Sequence, residues 1–381
     1  MKILLLSTFP THPTNAGNRA WILGQAETLK ELGHDVYFLF VLHKSFNAVS
    51  EETIYETKKY WKNHYFEYHL SLIDTLRIKI LSFYARIRHG YIRCDDKYPL
   101  GLSAFVDKIN KAERFDLCIV NYFFMSKLLK DVSFPKTAIS THDCFSYRDL
   151  RTQDKGTMSI TANEEAKAMQ RCQFIFALQN EECAYFQHLS PNSKALNVYG
   201  RFVYVPTPIV GNHNLVMLAS GINYNVEAIS WFIKNVFSDV RAMFPDAQLI
   251  LGGSACKYLQ QYSNHPGVRL LGFVNHPREL YDMGDIAINP VSQGTGLKIK
   301  TFESIAFDKV TIVHPHSMLG IFDPEHAPLK VARLSAEWVS AISEVWNNPQ
   351  IISSIKNTNR EYLMGLHQFV INNYQQLSTI E

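Results

Sequence analysis

The segment from Asp285 to Val313 constrains the fold of this chain more than any other stretch. It reads DIAINPVSQGTGLKIKTFESIAFDKVTIV. A short apolar run ends at Pro290, a glycine-containing turn follows, and apolar residues then recur at a roughly helical period as far as Ala306. Val310–Val313 is a β-branched run that predicts a second strand. The order strand, loop, helix, strand predicts a βαβ unit, and such units build parallel sheets.

The N-terminal residues repeat the same order of elements. Lys2–Ser7 predicts a buried strand, and Thr8–Asn18 is a polar loop. A helix is predicted to open at Gly17 and to end at Gly33, before a second strand at Val36–Leu42. These elements predict that the chain begins with a doubly wound α/β domain. In such domains ligands bind at the carboxyl ends of the strands.

The size and composition of the chain narrow its class. A chain of 381 residues is long for one core and predicts two domains. No apolar run approaches the roughly 20 residues that span a bilayer, and no signal-peptide pattern is predicted at the start. The six cysteines form no CxxC pair, so we expect reduced thiols in a cytoplasmic protein and no zinc site. A net charge of +3 does not indicate nucleic-acid binding.

The loop after the first strand of the 285–313 unit carries the predicted chemistry. Gly294 and Gly296 allow backbone N–H groups to approach a ligand closely. The following helix N-terminus suits phosphate, and Lys298 and Lys300 add two cations there. A carboxylate at Glu303 can accept hydrogen bonds from a ribose diol. The alternative is a glycine-rich turn followed by a solvated Lys–Glu helix face.

The stretch GTGLKIKTFESIAFDKVTIV resembles the nucleotide-binding signature of GT-B-fold glycosyltransferases related to the large retaining family four. In that family the glutamate that matches Glu303 binds the ribose of a sugar nucleotide, and the loop before it faces the diphosphate. The family often has another glutamate eight positions earlier, which touches the donor sugar. Thr295 stands at that position here, so we assign Thr295 to the donor site while the donor sugar stays unidentified.

The resemblance implies an α/β fold of GT-B architecture, with two Rossmann-like domains facing a cleft. We expect an N-terminal acceptor-binding domain over residues 1–200 and a C-terminal domain that binds the nucleotide sugar over 201–355. A C-terminal helix, 356–381, is expected to return to the first domain. The resemblance is specific at 294–313 and diffuse over the rest of roughly 1–365.

Four residues of the first half are candidate site residues. The resemblance carries a phosphate- or acceptor-facing glycine onto Gly17 and, beside it, a donor contact onto Arg19. The segment THDCFSYRD follows a predicted strand, Thr137–Ser140, and resembles a segment of the same superfamily. There His142 is expected to bind a sugar hydroxyl and Asp143 to orient it or accept a proton. The alternatives are a solvated first-turn arginine and a helix cap with a turn.

The second half contributes the remaining donor residues. The family often begins its second domain with a phosphate-binding Arg and Lys, but the loop SGINYNVEA has neither. We therefore expect Lys298 and Lys300 to replace them and assign Lys298 to the catalytic residues as well. Ser220 and Gly221 are expected to offer hydroxyl and backbone donors to the diphosphate.

The edge of the nucleotide base is expected to lie against backbone groups further along the second half of the chain. In the resembled family a Gly-Phe-Val region hydrogen-bonds the nucleotide base through its backbone. We carry that role to Phe273 and Val274, the last two residues of a strand predicted over Val268–Val274.

The stretch Leu72–Arg93 is basic and amphipathic, with five cations against Asp74 alone. Such a stretch can lie on an anionic membrane surface. It can equally be a domain helix with a basic outer face, or it can steer an acidic acceptor.

These observations predict a hexosyl- or glycosyltransferase that moves a sugar from a UDP-, GDP- or dTDP-sugar to a hydroxyl of a glycan or lipid-linked acceptor. The expected setting is surface polysaccharide biosynthesis, in the cytoplasm at the inner membrane face. The resemblance implies retention of anomeric configuration, and no DxD-type motif stands in a suitable place, so no metal and no cofactor are expected. The alternatives are a nucleotide-sugar 2-epimerase of the same fold and a non-catalytic nucleotide-binding partner subunit.

Overall fold

The structure is a computed structural model that describes residues 1–14, 16–43, 49–152 and 158–378, with positions 86 and 89 described by their backbone alone. The last three residues of the predicted C-terminal segment therefore lie outside it. The chain forms two compact units, Met1–Arg201 with Val370–Glu381, and Phe202–Phe369. The assignment of an acceptor to one and a donor to the other stays a prediction, because compactness identifies no ligand.

The first unit is built on a seven-stranded sheet in the order β3-β2-β1-β4-β5-β6-β7, and every neighbouring pair is parallel. Its strands are β1 Lys2–Ser7, β2 Asp35–Leu42, β3 Tyr65–His69, β4 Leu117–Asn121, β5 Lys136–Ser140, β6 Phe174–Ala177 and β7 Lys194–Asn197. Its helices are α1 Gly17–Glu31, α2 Glu51–Trp61, α3 Leu72–His89, α4 Leu102–Glu113, α5 Leu128–Asp131, α6 Arg148–Thr152, α7 Ala162–Met169 and α8 Asn180–Leu189.

The second unit has a six-stranded parallel sheet in the order β10-β9-β8-β11-β12-β13. Its strands are β8 Asn214–Leu218, β9 Gln248–Gly252, β10 Val268–Gly272, β11 Ile286–Asn289, β12 Val310–Val313 and β13 Leu329–Val331. Its helices are α9 Asn223–Phe232, α10 Ser238–Met243, α11 Arg278–Tyr281, α12 Ile299–Ala306, α13 Ser335–Asn347 and α14 Gln350–Gln375, and a π-helical turn, Ile233–Phe237, joins α9 to α10.

Both sheets are buried on both faces at their centres, as parallel sheets with helices on each side require. The end of α14 belongs to the first unit, where Tyr374 packs edge-on against Phe176 at 5.3 Å between ring centroids. Gln25 of α1 donates a hydrogen bond to the Tyr374 hydroxyl at 3.1 Å. The prediction that the C-terminal helix packs on the first domain is confirmed by these contacts.

The sequence predicted the central strands and missed three. β3, β7 and β13 are edge strands that contain at most two fully buried residues each, so they lack the apolar run from which a strand is recognised. Serine is a frequent N-cap residue, so the sequence predicts Ser335 as the cap of α13, and this prediction is wrong. The cap is Leu334, because the Glu337 carboxylate accepts hydrogen bonds from the backbone N–H groups of Arg333 and Leu334.

Gly253 allows the turn after β9 to close against the neighbouring strand. Its backbone has φ 95° and ψ −178°, a conformation that only glycine adopts readily. A Cβ there would lie 2.3 Å from the carbonyl oxygen of Ala219, whereas a Cβ on Gly272, which also has positive φ, would meet nothing within 4 Å. Side-chain addition is therefore opposed by torsion and by contact at Gly253, and by torsion alone at Gly272.

Gly253→Ala is expected to lower the free energy of unfolding by about 3 kcal/mol, since backbone strain and a backbone clash add. Gly272→Ala is the matched control and is expected to cost about 1 kcal/mol. Urea denaturation followed by circular dichroism compares the two variants. Equal losses of stability would contradict the role of the Ala219 contact.

Candidate active site

The predicted donor residues gather where the second sheet reverses its strand order. The reversal lies between β8 and β11, and loops at the carboxyl ends of such strands form the binding position of open α/β sheets. Ser220 and Gly221 follow β8, and the 290–298 loop follows β11 and leads into α12. The sequence therefore places phosphate-type residues at the position where this topology binds ligands.

The 290–298 loop turns three successive carbonyl groups toward one ammonium group. The Lys298 Nζ donates to the carbonyl oxygens of Gly296 at 3.0 Å, Gly294 at 3.4 Å and Thr295 at 3.5 Å. Lys298 is only 7% exposed, and both glycines have positive φ, 102° at Gly294 and 71° at Gly296. Within the described part of the chain, no acceptor is bonded to the N–H groups of residues 294–297. The loop thus presents four backbone donors, as an anion-binding nest does.

Lys300 lies two residues further on and is held by Asn225, which bonds to the loop after β8. Its Nζ donates to the side-chain oxygen of Asn225, whose amide nitrogen donates to both the carbonyl and the hydroxyl of Ser220 at 3.0 Å. Burial, with a smaller effect from the neighbouring Lys298 charge, lowers the pKa of Lys300 to about 8. A phosphate beside this ammonium group would restore the stability of its charged form.

Glu303 is held by a phenol. The Tyr281 hydroxyl donates to Oε1 of Glu303 at 3.0 Å, and the Tyr281 ring stacks on Phe307. Burial raises the pKa of Glu303 to about 7, although the Tyr281 hydrogen bond and the charge of Lys300 oppose this effect. Lys300 and Glu303 therefore both titrate within about a unit of neutrality, so ligand binding and proton binding are coupled at this helix.

The loop after β8 is fixed from the neighbouring turn. The N–H of Gly221 donates to the hydroxyl of Ser254 at 2.9 Å, and a Cβ on Gly221 would lie 2.5 Å from the ring of Tyr258. The Ser220 side chain is exposed, and its hydroxyl accepts from Asn225, so it can still donate to a ligand.

The two residues predicted to meet the base lie after β10, at the same edge of the sheet. The Phe273 side chain is 69% exposed, and Val274 is partly buried beside Gly252. Their backbone role stays a prediction.

In the first unit, His142 follows β5 and is fixed as a neutral imidazole. Its backbone has φ 64°, its Nε2 lies 2.7 Å from the side-chain oxygen of Asn121, and its ring stacks on Tyr122 with centroids 4.1 Å apart. The Asn121 amide nitrogen points to the Leu6 carbonyl, so the oxygen faces His142 and its Nε2 carries the hydrogen. Burial lowers the pKa of His142 to about 3. Its Nδ1 is thereby an acceptor at neutral pH.

Asp143 is engaged within its own loop. Its carboxylate accepts from the N–H of Cys144 at 2.8 Å and pairs with Arg148 at 2.8 Å. The fully buried Glu165 carboxylate holds the same loop through the N–H groups of Phe145, at 2.8 Å, and Ser146, at 3.0 Å. These contacts agree with the alternative in which Asp143 belongs to a turn. Its catalytic role stays a prediction.

Gly17 and Arg19 lie in the first turn of α1, and Gly17 is exposed. The Arg19 guanidinium donates to the carbonyl of Pro13 at 3.4 Å, and burial lowers its pKa. This contact orders the loop after β1; the contact of either residue with a ligand stays a prediction.

Sequence reasoning missed the residues that hold the predicted ones: Asn121, Asn225, Tyr281 and His316. Asn121 is the last residue of β4, and a polar residue at the end of an apolar strand is a usable signal. Asn225 lies in the first turn of α9. Tyr281 lies 22 positions before Glu303 on another helix, and no local pattern connects them.

Among the described residues, no group of three His, Cys, Asp or Glu side chains is arranged to hold a metal ion. In the same part of the chain, no helix has the length and apolar character needed to cross a bilayer.

Known proteins resemble this chain in sequence and in fold. Residues 213–348 match the family model described as Glycosyl transferases group 1. The class of protein that this match and the fold resemble is the glycosyltransferases of GT-B architecture. The chain matches the family model over 136 of its 381 residues, all in the second unit. It is also 23% identical, over 80% of each chain, to an uncharacterized 44.6 kDa protein in the cps region of Klebsiella pneumoniae.

The solved structures that resemble the whole chain share its two-unit fold. HepE from Anabaena, in complex with UDP and glucose, is 14% identical with a TM-score of 0.64 and full coverage of both chains. The pneumococcal O-GlcNAc transferase GtfA, in complex with UDP and GlcNAc, is 9% identical with a TM-score of 0.66, over 99% of this chain and 98% of that one. Sucrose-phosphate synthase from Thermosynechococcus elongatus is 12% identical with a TM-score of 0.65, over 100% and 98%. The predicted fold class is confirmed.

The pKa values of Glu303 and Lys300 predict a bell-shaped dependence of donor affinity on pH. Ribose hydroxyls need the charged carboxylate, so affinity rises as pH passes about 7; the diphosphate needs the charged ammonium, so affinity falls as pH passes about 8. Calorimetric titration with a UDP-sugar measures the curve, because its diphosphate does not titrate in this range.

Tyr281→Phe removes a hydrogen bond to the charged carboxylate, so the acid limb should move to higher pH. Glu303→Gln, the control, should abolish that limb. An acid limb that stays in place in both variants would assign it to another group.

Proposed function

We propose that this chain transfers a sugar from a nucleotide-diphosphate sugar to a hydroxyl of a glycan or glycolipid acceptor, with retention of configuration and without a metal. The observation that carries the proposal is the arrangement after β11, where four unbonded backbone N–H groups, a buried lysine and a buried glutamate follow one another on loop and helix. The location of this arrangement within a Glycosyl transferases group 1 domain supports it.

The arrangement suits the charge that develops when a nucleotide diphosphate leaves a sugar. Negative charge grows on the diphosphate, and fixed donors that already point at it need no reorganisation. The N–H groups of 294–297, the Lys300 ammonium and the Ser220 hydroxyl are such donors. Glu303 would hold the ribose, which fixes the distance between base and diphosphate. Lys298 contributes its positive charge from the side of the loop on which its ammonium group binds the carbonyl oxygens.

The neutral His142 suits an acceptor of hydrogen bonds. With Nε2 engaged by Asn121, Nδ1 can receive a hydrogen bond from a sugar hydroxyl. A neutral ring also leaves the positive charge at the anomeric carbon without a neighbouring cation. Asp143 keeps its loop in register through Cys144 and Arg148. We therefore assign His142 to sugar binding and Asp143 to its support.

The biological setting proposed is the assembly of a surface polysaccharide at the inner face of the cytoplasmic membrane. The location of the Klebsiella relative in a cps region supports this setting. The UDP complexes of HepE and GtfA make UDP-sugars the first donors to test.

The decisive experiment incubates the purified chain with UDP-, GDP- and dTDP-sugars, with and without glycan or lipid-linked acceptors. Release of nucleoside diphosphate that depends on an acceptor supports transfer. Sugar isomerisation without an acceptor would establish the 2-epimerase, and tight binding without turnover would establish the non-catalytic partner.

Glu303→Ala is expected to weaken donor affinity by about 1–3 kcal/mol, since a charged hydrogen bond is lost. Glu325→Ala is the control, because Glu325 is an exposed glutamate of the same unit that lies outside the 290–298 loop and α12. Equal affinities of the wild type and Glu303→Ala would remove the ribose assignment.

We also propose that α3 lies on an anionic membrane surface. Seven large apolar side chains of this one helix are exposed: Leu72, Ile73, Leu76, Ile80, Phe83, Tyr84 and Ile87, at 50–90%. Lys79 and Arg88 are exposed cations among them, and the only acidic residue, Asp74, is buried and bonded to Ser71 and Leu100. An apolar stripe flanked by cations fits an anionic bilayer surface and explains why this stripe is not covered by the unit's own core.

Phe83→Asp is expected to weaken binding to vesicles that contain phosphatidylglycerol by about tenfold or more, since a buried Phe contributes about 1.5–3 kcal/mol. Met364→Asp is the matched control, because Met364 is 62% exposed and Phe83 is 68% exposed. Co-sedimentation measures both. Equal binding by the two variants, or equal binding to neutral vesicles, would refute the membrane contact.

A further inference from the structure

The short 3₁₀ helix after β12, Pro315–Met318, supports the 290–298 loop from outside. His316 places Nε2 3.0 Å from the carbonyl oxygen of Gly294, and Ser317 donates its hydroxyl to the carbonyl of Val291 at 3.2 Å. Because a carbonyl oxygen only accepts, the His316 Nε2 carries the hydrogen. His316 is therefore fixed as a donor to the loop.

The backbone of His316 is fixed as well. Its N–H donates to Nδ1 of His314 at 3.1 Å, and His314 caps the short helix. Burial, with a smaller effect from the Lys298 charge, lowers the pKa of His316. The ring is thus neutral at physiological pH and adds no charge that would compete with Lys298 for the loop.

The two donors act on the same carbonyl from different elements. Gly294 O receives Nζ of Lys298 at 3.4 Å and Nε2 of His316 at 3.0 Å. On its other side, the α-carbon of Gly294 packs so closely that a Cβ would lie 3.2 Å from the Tyr224 ring. A peptide plane held at its oxygen cannot rotate, so the N–H of the next residue, Thr295, is fixed in the opposite direction.

We propose that His316 is a positioning residue for the diphosphate: it fixes the Gly294–Thr295 peptide so that the loop N–H groups face the phosphate oxygens before the donor binds. The proposal rests on the proposed function for its ligand, but not for its geometry. His316 touches no phosphate itself; it acts through the backbone. Loss of this contact should lower the affinity for the diphosphate portion of a ligand and leave the affinity for the nucleoside portion unchanged.

The test uses the full chain with His316→Ala, His316→Gln and the control His213→Ala. Gln can place an amide N–H where the imidazole Nε2 lies. His213 is a partly buried histidine of the same unit, bonded to Asp246 at 2.8 Å and away from the loop. The first readout needs no ligand: backbone ¹H–¹⁵N NMR signals of Thr295 and the flanking glycines should shift or broaden in His316→Ala only, and recover in His316→Gln.

The second readout is calorimetric binding of UDP and of uridine. We expect His316→Ala to weaken UDP binding by about tenfold, as one hydrogen bond allows, with uridine unaffected and with His316→Gln near the wild type. Unchanged loop signals in His316→Ala would overturn the proposal. Changed loop signals with unchanged UDP affinity would overturn it too.

A failure of the proposed function has a different signature. If the wild type bound no nucleoside diphosphate at all, the donor assignment would fall. The titration is then made with inorganic pyrophosphate, and His316→Ala must still weaken its binding for the positioning role to stand.

Discussion

The site depends on the inward convergence of carbonyl oxygens in a single loop. Gly294, Thr295 and Gly296 direct three carbonyls at the Lys298 ammonium, and a peptide that turns its oxygen one way presents its N–H the other way. Positive φ at both glycines is needed for this reversal. A lysine that seemed from the sequence to reach a phosphate directly thus has a second effect, which is to create the surface of neutral donors that a phosphate would meet.

Burial shifts the pKa values of two charged residues on one face of α12 toward neutrality. Lys300 and Glu303 are three positions apart on α12, and desolvation brings their pKa values to about 8 and about 7. Each is helped by the other's charge, and each has one neutral partner, Asn225 or Tyr281. A ligand that carries a diphosphate at one end and a diol at the other would supply what each group lost on leaving water.

The same physics gives a different outcome in the first unit. His142 is desolvated without any charged partner, so its pKa falls to about 3 and the ring stays neutral. Stacking on Tyr122 and the Asn121 contact fix both its plane and its tautomer. Two titratable groups of α12 thus lie near neutrality, whereas His142 offers a hydrogen-bond acceptor that does not change with physiological pH.

Features that depend on residues close together in the chain could be predicted from the sequence. Features that depend on residues brought together by the fold could not. The strand, loop, helix and second strand lie within one segment, and short-range periodicity was enough to predict their order. Lys300 and Glu303 were predicted from their residue types at the start of that helix and from the resemblance to GT-B glycosyltransferases. Asn225, Tyr281 and His316 come from other elements that the parallel topology brings to the same sheet edge, and no spacing along the chain encodes those meetings. The edge strands β3, β7 and β13 were missed because they lack a continuous apolar run, whereas the edge strand β10 was predicted. A sequence pattern finds the groups predicted to meet a ligand. Only the fold shows the neutral residues that hold these groups and the burial that shifts their pKa values.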